Sequence, residues 1–600
     1  MNIPTRKPQD GYVIGVDVGT GSARAGVFDL TGRMLASAKQ DIALFHAPGS
    51  IVEQSSNEIW TAVCTSVRSA VAQSGVPSER VVGIGFDATC SLVVLGQNGK
   101  PLPVGPSDDP ARNIIVWMDH RAVAQADRIN ATGHDVLKYV GGRISPEMET
   151  PKLLWLLENK PTVFADAWQF LDLTDFLTWR ASGDLSRSTC TVTCKWTYLA
   201  HEDRWDASYF RAIGLDVLAD EDFERIGNNV VAPGTALGSG LTPAAARELG
   251  LPTGTPVAAG VIDAHAGGIG TVGVDGDPFS ALAYVFGTSS CTMTSTRAPV
   301  FVPGVWGPYY SAMVPHTWLN EGGQSVAGAA IEQLLSMHPL APEARLQAQA
   351  AGQSLVTMLA DIAAQKTHYL SDAMRLADGL YVVPEFLGNR APMADPHARA
   401  VIVGLGMAND MDSLIALYIA GICGIAYGLR QIIEAQTAAG APIERIMISG
   451  GAGRLDLVRQ LLADATGKAV IATDAEEPVL LGAAMLGSVA AHAFDDVGGA
   501  MSGMSQSGRT FLPDTGAIAA LHLARFRAFE QLQALARELR QASPASRRTS
   551  TKKATHSPSL ASSRIKNVAL LDNVKTGDRV RFSADKVDVQ ITVVGIEPAH

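Results

Sequence analysis

Two aspartates stand where phosphoryl-transfer chemistry needs carboxylates. Asp17 ends the apolar run Tyr12-Val-Ile-Gly-Val-Asp-Val18 and is followed at once by Gly19-Thr20-Gly21. A lone carboxylate at the end of a buried strand is costly without a partner. A hydrated Mg2+ bridging it to nucleotide phosphates would satisfy it. The glycines permit positive φ and close approach, so the N–H groups of the turn can curl around phosphate oxygens. A dinucleotide fingerprint would need a helix directly after the turn, but Arg24-Ala-Gly-Val-Phe28 continues as strand, and no GxxxxGK[ST] loop is present. Taken alone, the turn is equally an ordinary hairpin or a phosphate site. A second turn, Gly287-Thr288-Ser289-Ser290, offers hydroxyls and free amides that could face the first. A third, Ser449-Gly450-Gly451-Ala452-Gly453, leaves room for the flat ring of an adenosine. Asp263, in Gly260-Val-Ile-Asp-Ala-His-Ala-Gly-Gly268, follows an apolar strand and precedes a glycine-rich stretch. Its carboxylate can serve as general base at a cleft between domains or simply cap a helix.

The elements that must position these groups alternate between strand and helix. Tyr12–Asp29 reads as strand, tight turn and strand, and Ala281–Thr294 repeats that unit, which hints at two related halves. Ser56–Ser74 carries Ile59, Trp60, Val63, Val67 and Ala70 at helical spacing. Val81–Phe86, Ser91–Leu95 and Ile114–Trp117 are strand-like. Helices are expected over Ser325–Leu335, Asp412–Glu434, Leu455–Ala465 and Ile518–Arg540. Beyond them Ser543–Arg564 is Ser/Thr/Lys/Arg-rich, the composition of a flexible linker. Strand character returns in Arg579–Phe582 and Val589–Val594.

The 600 residues, 47% hydrophobic and 18% charged, supply a large core and imply several domains or two large ones. A net charge of −11 leaves no basic field for nucleic acid. The six cysteines include no CxxC pair, which argues against thiolate metal ligation and fits a reducing compartment. No leader-like apolar segment opens the chain and no run reaches bilayer-spanning length, so a cytoplasmic protein without a membrane partner is expected.

The three glycine turns, in this order, resemble the actin/hexokinase/sugar-kinase ATPases. Within that group the chain is similar to the FGGY carbohydrate kinases over about Gly11 to Arg540. Pro151-Lys-Leu-Leu-Trp155, Gly388-Asn-Arg-Ala-Pro392, Ala420–Arg430 and Glu477–Ala484 add to the match. The resemblance implies an α/β, two-lobed actin-like ATPase (ribonuclease H-like) fold, with a sugar-binding domain over 11–272 and a nucleotide-binding domain over 273–540. It implies ATP and Mg2+ as cofactors and a homodimer. Asp263 matches the family's catalytic base and, with Asp17, would hold Mg2+ largely through water. Gly19, Thr20, Gly21, Arg24, Gly287, Thr288 and Ser289 would contact phosphates, and Gly450, Gly451 and Ala452 the adenosine end. Gly85-Phe-Asp-Ala-Thr-Cys-Ser-Leu-Val-Val94, Val192–Leu199 and Glu321–Ser325 resemble the ribulokinase branch, and Thr89–Val94 its D-ribulose form. By that resemblance Lys195 and Glu321 contact sugar hydroxyls or the keto oxygen, with Asp87, Trp117 and Asp263 beside them. Carboxylates accept from hydroxyls and a lysine donates to a carbonyl. His265 is expected to pack or support, and Asp119 and Arg121 to pair with each other. L-ribulose or another pentitol is the alternative substrate. A non-sugar ATPase or a non-catalytic sugar-binding regulator of the same fold is the alternative class.

The tail, 565–600, resembles the final hairpin of CusF-like periplasmic copper-binding barrels, through Val574–Phe582 and Ile591–Pro598. Ile565–His600 contains no Met, Trp or Cys and only His600, so the ligands of a copper site are absent from it.

Overall fold

The computed structural model describes residues 11–273 and 277–542, together with strand segments 564–565, 580–587 and 590–598. It forms two compact units divided in the chain between Ala536 and Arg537.

The first unit contains two sheets of matching design. In the first half, β1 (Tyr12–Val18), β2 (Ser22–Asp29) and β3 (Met34–Asp41) form an antiparallel meander. β4 (Val81–Ala88) returns parallel beside β1, and β5 (Val261–Ile262) lies parallel beside β4. The sheet order is therefore β5-β4-β1-β2-β3. Val13, Ile14, Val16 and Val18 of β1 are all fully buried, as expected of a strand covered on both faces. Helix α1 (Ser56–Ser74) covers β2 and β3. It starts where the Ser55 hydroxyl accepts from the Glu58 N–H and stops at Gly75 in the left-handed region.

The second half repeats this order. β6 (Ala281–Phe286) pairs antiparallel with β7 (Ser290–Thr296), which pairs antiparallel with β9 (Trp318–Gln324), flanked by β8 (Trp306–Tyr310). β10 (Arg445–Ser449) lies parallel beside β6, and β11 (Ala469–Thr473) parallel beside β10, with β12 (Ser507–Phe511) at the edge. β11-β10-β6-β7-β9 thus has the order and strand directions of β5-β4-β1-β2-β3. The repeated strand–turn–strand hint of the sequence extends to five strands in each half.

Further helices are α2 (Thr189–Trp196), α3 (Asp263–Val272), α4 (Gly328–Ser336), α5 (Met411–Ala438), α6 (Asp456–Thr466), α7 (Pro478–Ala490) and α8 (Ala517–Ala542). α5 is long and apolar enough to cross a membrane by composition alone, yet it is buried in the core of the second half. α3 follows β5 and α7 follows β11, so they hold the same place in the two repeats, and they cross in contact. A Cβ on Gly270 would lie 1.9 Å from the Pro478 carbonyl oxygen, and one on Gly482 would lie 2.0 Å from that of Ala266. α7 also rests on the first sheet, where a Cβ on Gly15 would lie 1.9 Å from the Leu480 oxygen. The two halves therefore meet backbone to backbone, through glycines.

The second unit is a three-stranded sheet in which Gln590–Pro598 pairs antiparallel with Val580–Val587 and parallel with Arg564–Ile565. Of the expected linker, Ser543–Arg564, residues 543–563 lie outside the described residues and Arg564 begins a strand.

Candidate active site

Strand register brings three carboxylates together. Asp17 of β1 lies opposite Asp87 of β4, and Asp87 opposite Val261 of β5, whose chain leads two residues later into Asp263, the first residue of α3. All three sit at the carboxyl ends of adjacent parallel strands, where open α/β sheets present their sites. Asp87 is fully enclosed, and both of its oxygens lack a hydrogen-bond partner. Burial, then the Asp17 and Asp263 charges, hold its pKa well above the usual carboxylate range. Burial and Asp17 push Asp263 up to about 6, although the Ala264 N–H, 2.7 Å from its Oδ1, works the other way.

Two expectations change here. Asp17 is not a lone carboxylate, because the hairpin register sets Arg24 opposite it, and the Arg24 Nε donates to its Oδ2 at 2.7 Å. Arg24 also donates from Nη1 to Glu477 Oε2 at 2.7 Å, so its guanidinium ties β2 to the start of α7. Burial opposes the charge of Arg24, and Asp17 and Glu477 outweigh it, raising its pKa. Asp87, expected beside the sugar, has no exposed surface. Its surroundings favour the neutral carboxyl.

The turns expected to hold phosphate leave open space at single glycines. A Cβ on Gly21 would meet nothing within 4 Å, while the Gly19 N–H donates to Ser22 O at 3.0 Å and closes the turn. The Trp117 indole Nε1–H donates to Thr20 Oγ1 at 3.0 Å, so this residue, expected beside the sugar, is tied to the first turn. In the second turn the Gly287 N–H donates to Ser289 O at 3.0 Å, and the Thr288 carbonyl accepts from Ala327 and Ala329 at the start of α4. Gly450, at φ 93°, comes so near β6 that a Cβ would lie 2.5 Å from Phe286 O. Gly451 beside it has nothing within 4 Å. A cavity of about 950 Å3 lies between the second and third turns, lined by Gly287, Thr288, Glu332, Gly451, Ala452 and Leu455. A second, of about 300 Å3, reaches from Gly450 and Gly451 to Arg24 and Glu477. The two share Gly451 and Arg454 in their walls.

Two residues expected to contact sugar, and the histidine expected to support them, come from three elements. Lys195 is on α2, Glu321 on β9 and His265 on α3, all buried. The Lys195 Nζ stands 5.0 Å from the Trp306 ring centroid, a cation–π separation. Burial opposes its charge, Cys90 and Glu321 favour it, and its pKa ends well above the usual lysine value. Burial would raise Glu321, but the His265 contact and the Lys195 charge bring it down to about 2. His265 Nε2 lies 3.3 Å from Glu321 Oε2, and its Nδ1 3.0 Å from Cys190 Sγ. Against the effect of burial, these two partners push the imidazole up to about 10. Asp119 and Arg121 pair as expected, at 2.9 Å from Nε to Oδ1, and Arg121 adds Glu53 at 2.8 Å, making a buried structural cluster. Trp306 and Cys190 had no signal in sequence, because each acts through a partner distant in the chain, and Glu477 opened a family-like segment with nothing to tie it to Arg24.

Two topologically equivalent sheets, a carboxylate cluster between them and glycine turns around a long cavity define the two-lobed actin-like ATPase class. Residues 12–270 match the FGGY family of carbohydrate kinases, N-terminal domain, and residues 282–491 its C-terminal domain. The chain is 46% identical over 524 residues to a human FGGY carbohydrate kinase domain-containing protein, covering 85% of this chain and 93% of that one. It is 40% identical over 529 residues to a D-ribulokinase of Saccharomyces cerevisiae, covering 82% and 74%. Among solved structures, xylulose kinase from Rhodospirillum rubrum superposes with a TM-score of 0.73 at 22% identity, over 88% of this chain and 99% of that one. The chain belongs to the FGGY carbohydrate kinases.

Proposed function

We propose that this kinase transfers the γ-phosphoryl group of ATP to a primary hydroxyl of a ketopentose, D-ribulose, giving D-ribulose 5-phosphate. The observation that carries the reading is the position of Asp263. It opens α3 directly after β5, next to the Asp17–Asp87 register, and feels the charges of both Asp17 and Lys195. A carboxylate there takes the proton of the attacking hydroxyl as the new P–O bond forms. Glu321 accepts from sugar hydroxyls, and Lys195 donates to the keto oxygen. Gly19 and Gly287 close the two turns, the amides of Thr20, Gly21, Thr288 and Ser289 bind phosphate oxygens, and Ala452 borders the adenosine cavity. The convergent carboxylates suit a hard cation: Asp17 and Asp263 would hold Mg2+, largely through water, and it would supply neutralisation of phosphate charge. The choice of D-ribulose rests on the D-ribulokinase similarity and on the Thr89–Val94 segment.

An ADP-release assay with D-ribulose, L-ribulose, D-xylulose, ribitol and glycerol tests this, with Asp263→Ala alongside. Selective turnover of D-ribulose, lost by a factor of roughly 100 or more in the variant, is expected. Preference for another sugar overturns the substrate, and full activity in the variant overturns the base.

A further inference from the structure

The strip Cys190–His265–Glu321 is unaccounted for by phosphoryl transfer itself. The three side chains come from α2, α3 and β9 and are buried. His265 is bracketed, with Nδ1 at 3.0 Å from Cys190 Sγ and Nε2 at 3.3 Å from Glu321 Oε2. The sulfur is in turn fixed by the Ile262 N–H at 3.3 Å, from the residue just before Asp263. A carboxylate only accepts hydrogen bonds, so Nε2 carries the proton towards Glu321. The ring can neither rotate nor flip without losing both contacts.

Cys194, one turn along α2, brings its sulfur within 4.8 Å of the other two ligand-type atoms, so the cluster also has the composition of a metal site. Zn–S and Zn–N bonds of about 2.3 and 2.0 Å would hold sulfur and nitrogen about 3.5 Å apart in a tetrahedral site. The observed 3.0 Å is hydrogen-bond spacing, and the Ile262 amide already occupies the sulfur.

We infer that Cys190 and His265 are positioning residues for sugar binding: the hydrogen-bonded chain from Cys190 through His265 fixes the direction in which Glu321 presents its free oxygen to the substrate. Aligning a carboxylate with a hydroxyl demands more than proximity, and a β9 side chain of this length needs a second anchor to hold one rotamer. The same α3 that offers Asp263 at its first residue offers His265 two residues later, so base and sugar acceptor are set from one helix end. The inference rests on Glu321 being a sugar ligand, as proposed above.

Steady-state kinetics of His265→Asn and His265→Gln test it. Asn reproduces the Nδ1 side of the ring and Gln the Nε2 side, so both disturb packing but only Gln can reach Glu321. His265→Asn is expected to raise KM for the ketose about tenfold, the scale of one hydrogen bond to a charged group, with KM for ATP unchanged. His265→Gln should recover most of that loss. Cys190→Ala against Cys190→Ser reads the chain from its other end and serves if the His265 variants fail to fold; Ser, which keeps a hydrogen-bonding atom, should outperform Ala. Equal effects of Asn and Gln, or parallel rises in both KM values, overturn the inference. So does wild-type protein that retains one zinc per chain through chelation. Glu321→Ala separates the two readings: an unchanged ketose KM there sinks the sugar-ligand assignment itself.

Discussion

Asp87→Asn should make this kinase more stable at neutral pH. The wild-type carboxyl is fully buried, accepts from no N–H donor and faces Asp17 and Asp263. Its folded pKa is raised, whereas in the unfolded chain it titrates at about 3.9. A carboxyl raised in the fold costs stability at every pH above its unfolded value, and the cost grows until the folded pKa is passed. Leaving a buried charged group without a compensating partner costs about 1–3 kcal/mol or more, and the cost is felt in full only where Asp87 is ionised, so it grows with pH. Asparagine has the same shape, carries no charge to desolvate, and its amide can donate to the two neighbouring carboxylates. Allowing for imperfect geometry, a gain of about 1–3 kcal/mol at pH 8 is expected, shrinking towards pH 4. Urea unfolding of both proteins at pH 5 and pH 8, compared by midpoint and slope, measures it. A midpoint that falls, or a gain that does not grow with pH, would refute the reading of Asp87 as an uncompensated buried charge.

Three further outcomes follow from the same geometry. Asp263 must be ionised to accept a proton, and its pKa of about 6 means that kcat/KM for the sugar should fall about tenfold per pH unit below 6; a plateau held down to pH 4 would contradict the assignment. Trp117→Phe removes the 3.0 Å bond to Thr20 and should cost about 1 kcal/mol, read as roughly a fivefold rise in KM for ATP. Gly270→Ala drives a Cβ to 1.9 Å from the Pro478 oxygen and should destabilise by about 3 kcal/mol, while Gly406→Ala, exposed and with nothing within 4 Å, should be near neutral in the same melt.

What the sequence made legible was local. The Gly19–Gly21 turn, the α1 helix from Ser56 to Ser74 and the repeat beginning at Ala281 depend on neighbours in the chain, and each stands where its pattern placed it. The pairing of Asp17 with Arg24 was also implicit, since a two-strand hairpin fixes which residues face each other, but counting register was needed to see it. The enclosure of Asp87 depends on β5, which arrives more than 170 residues later. Nothing near Cys190 announces His265, 75 residues away, or ties His265 to Glu321, 56 further on. Hydrophobic periodicity describes an element's own faces, and it carries no information on which polar atoms of distant elements will share a buried corner.

The glycine crossing of α3 and α7 has a mechanical consequence. Most helix pairs mesh like gear teeth, and a change of angle between them must lift side chains out of their grooves. At Gly270 and Gly482 there are no teeth: one smooth backbone rests on another, at the point where the two repeats are related to each other. Such a joint works as a bearing, on which one half can turn slightly against the other while few side chains change partners. Asp263 lies at the end of α3, on the shaft itself, so a turn would swing the glycine turns through the larger arc and leave the base nearly still.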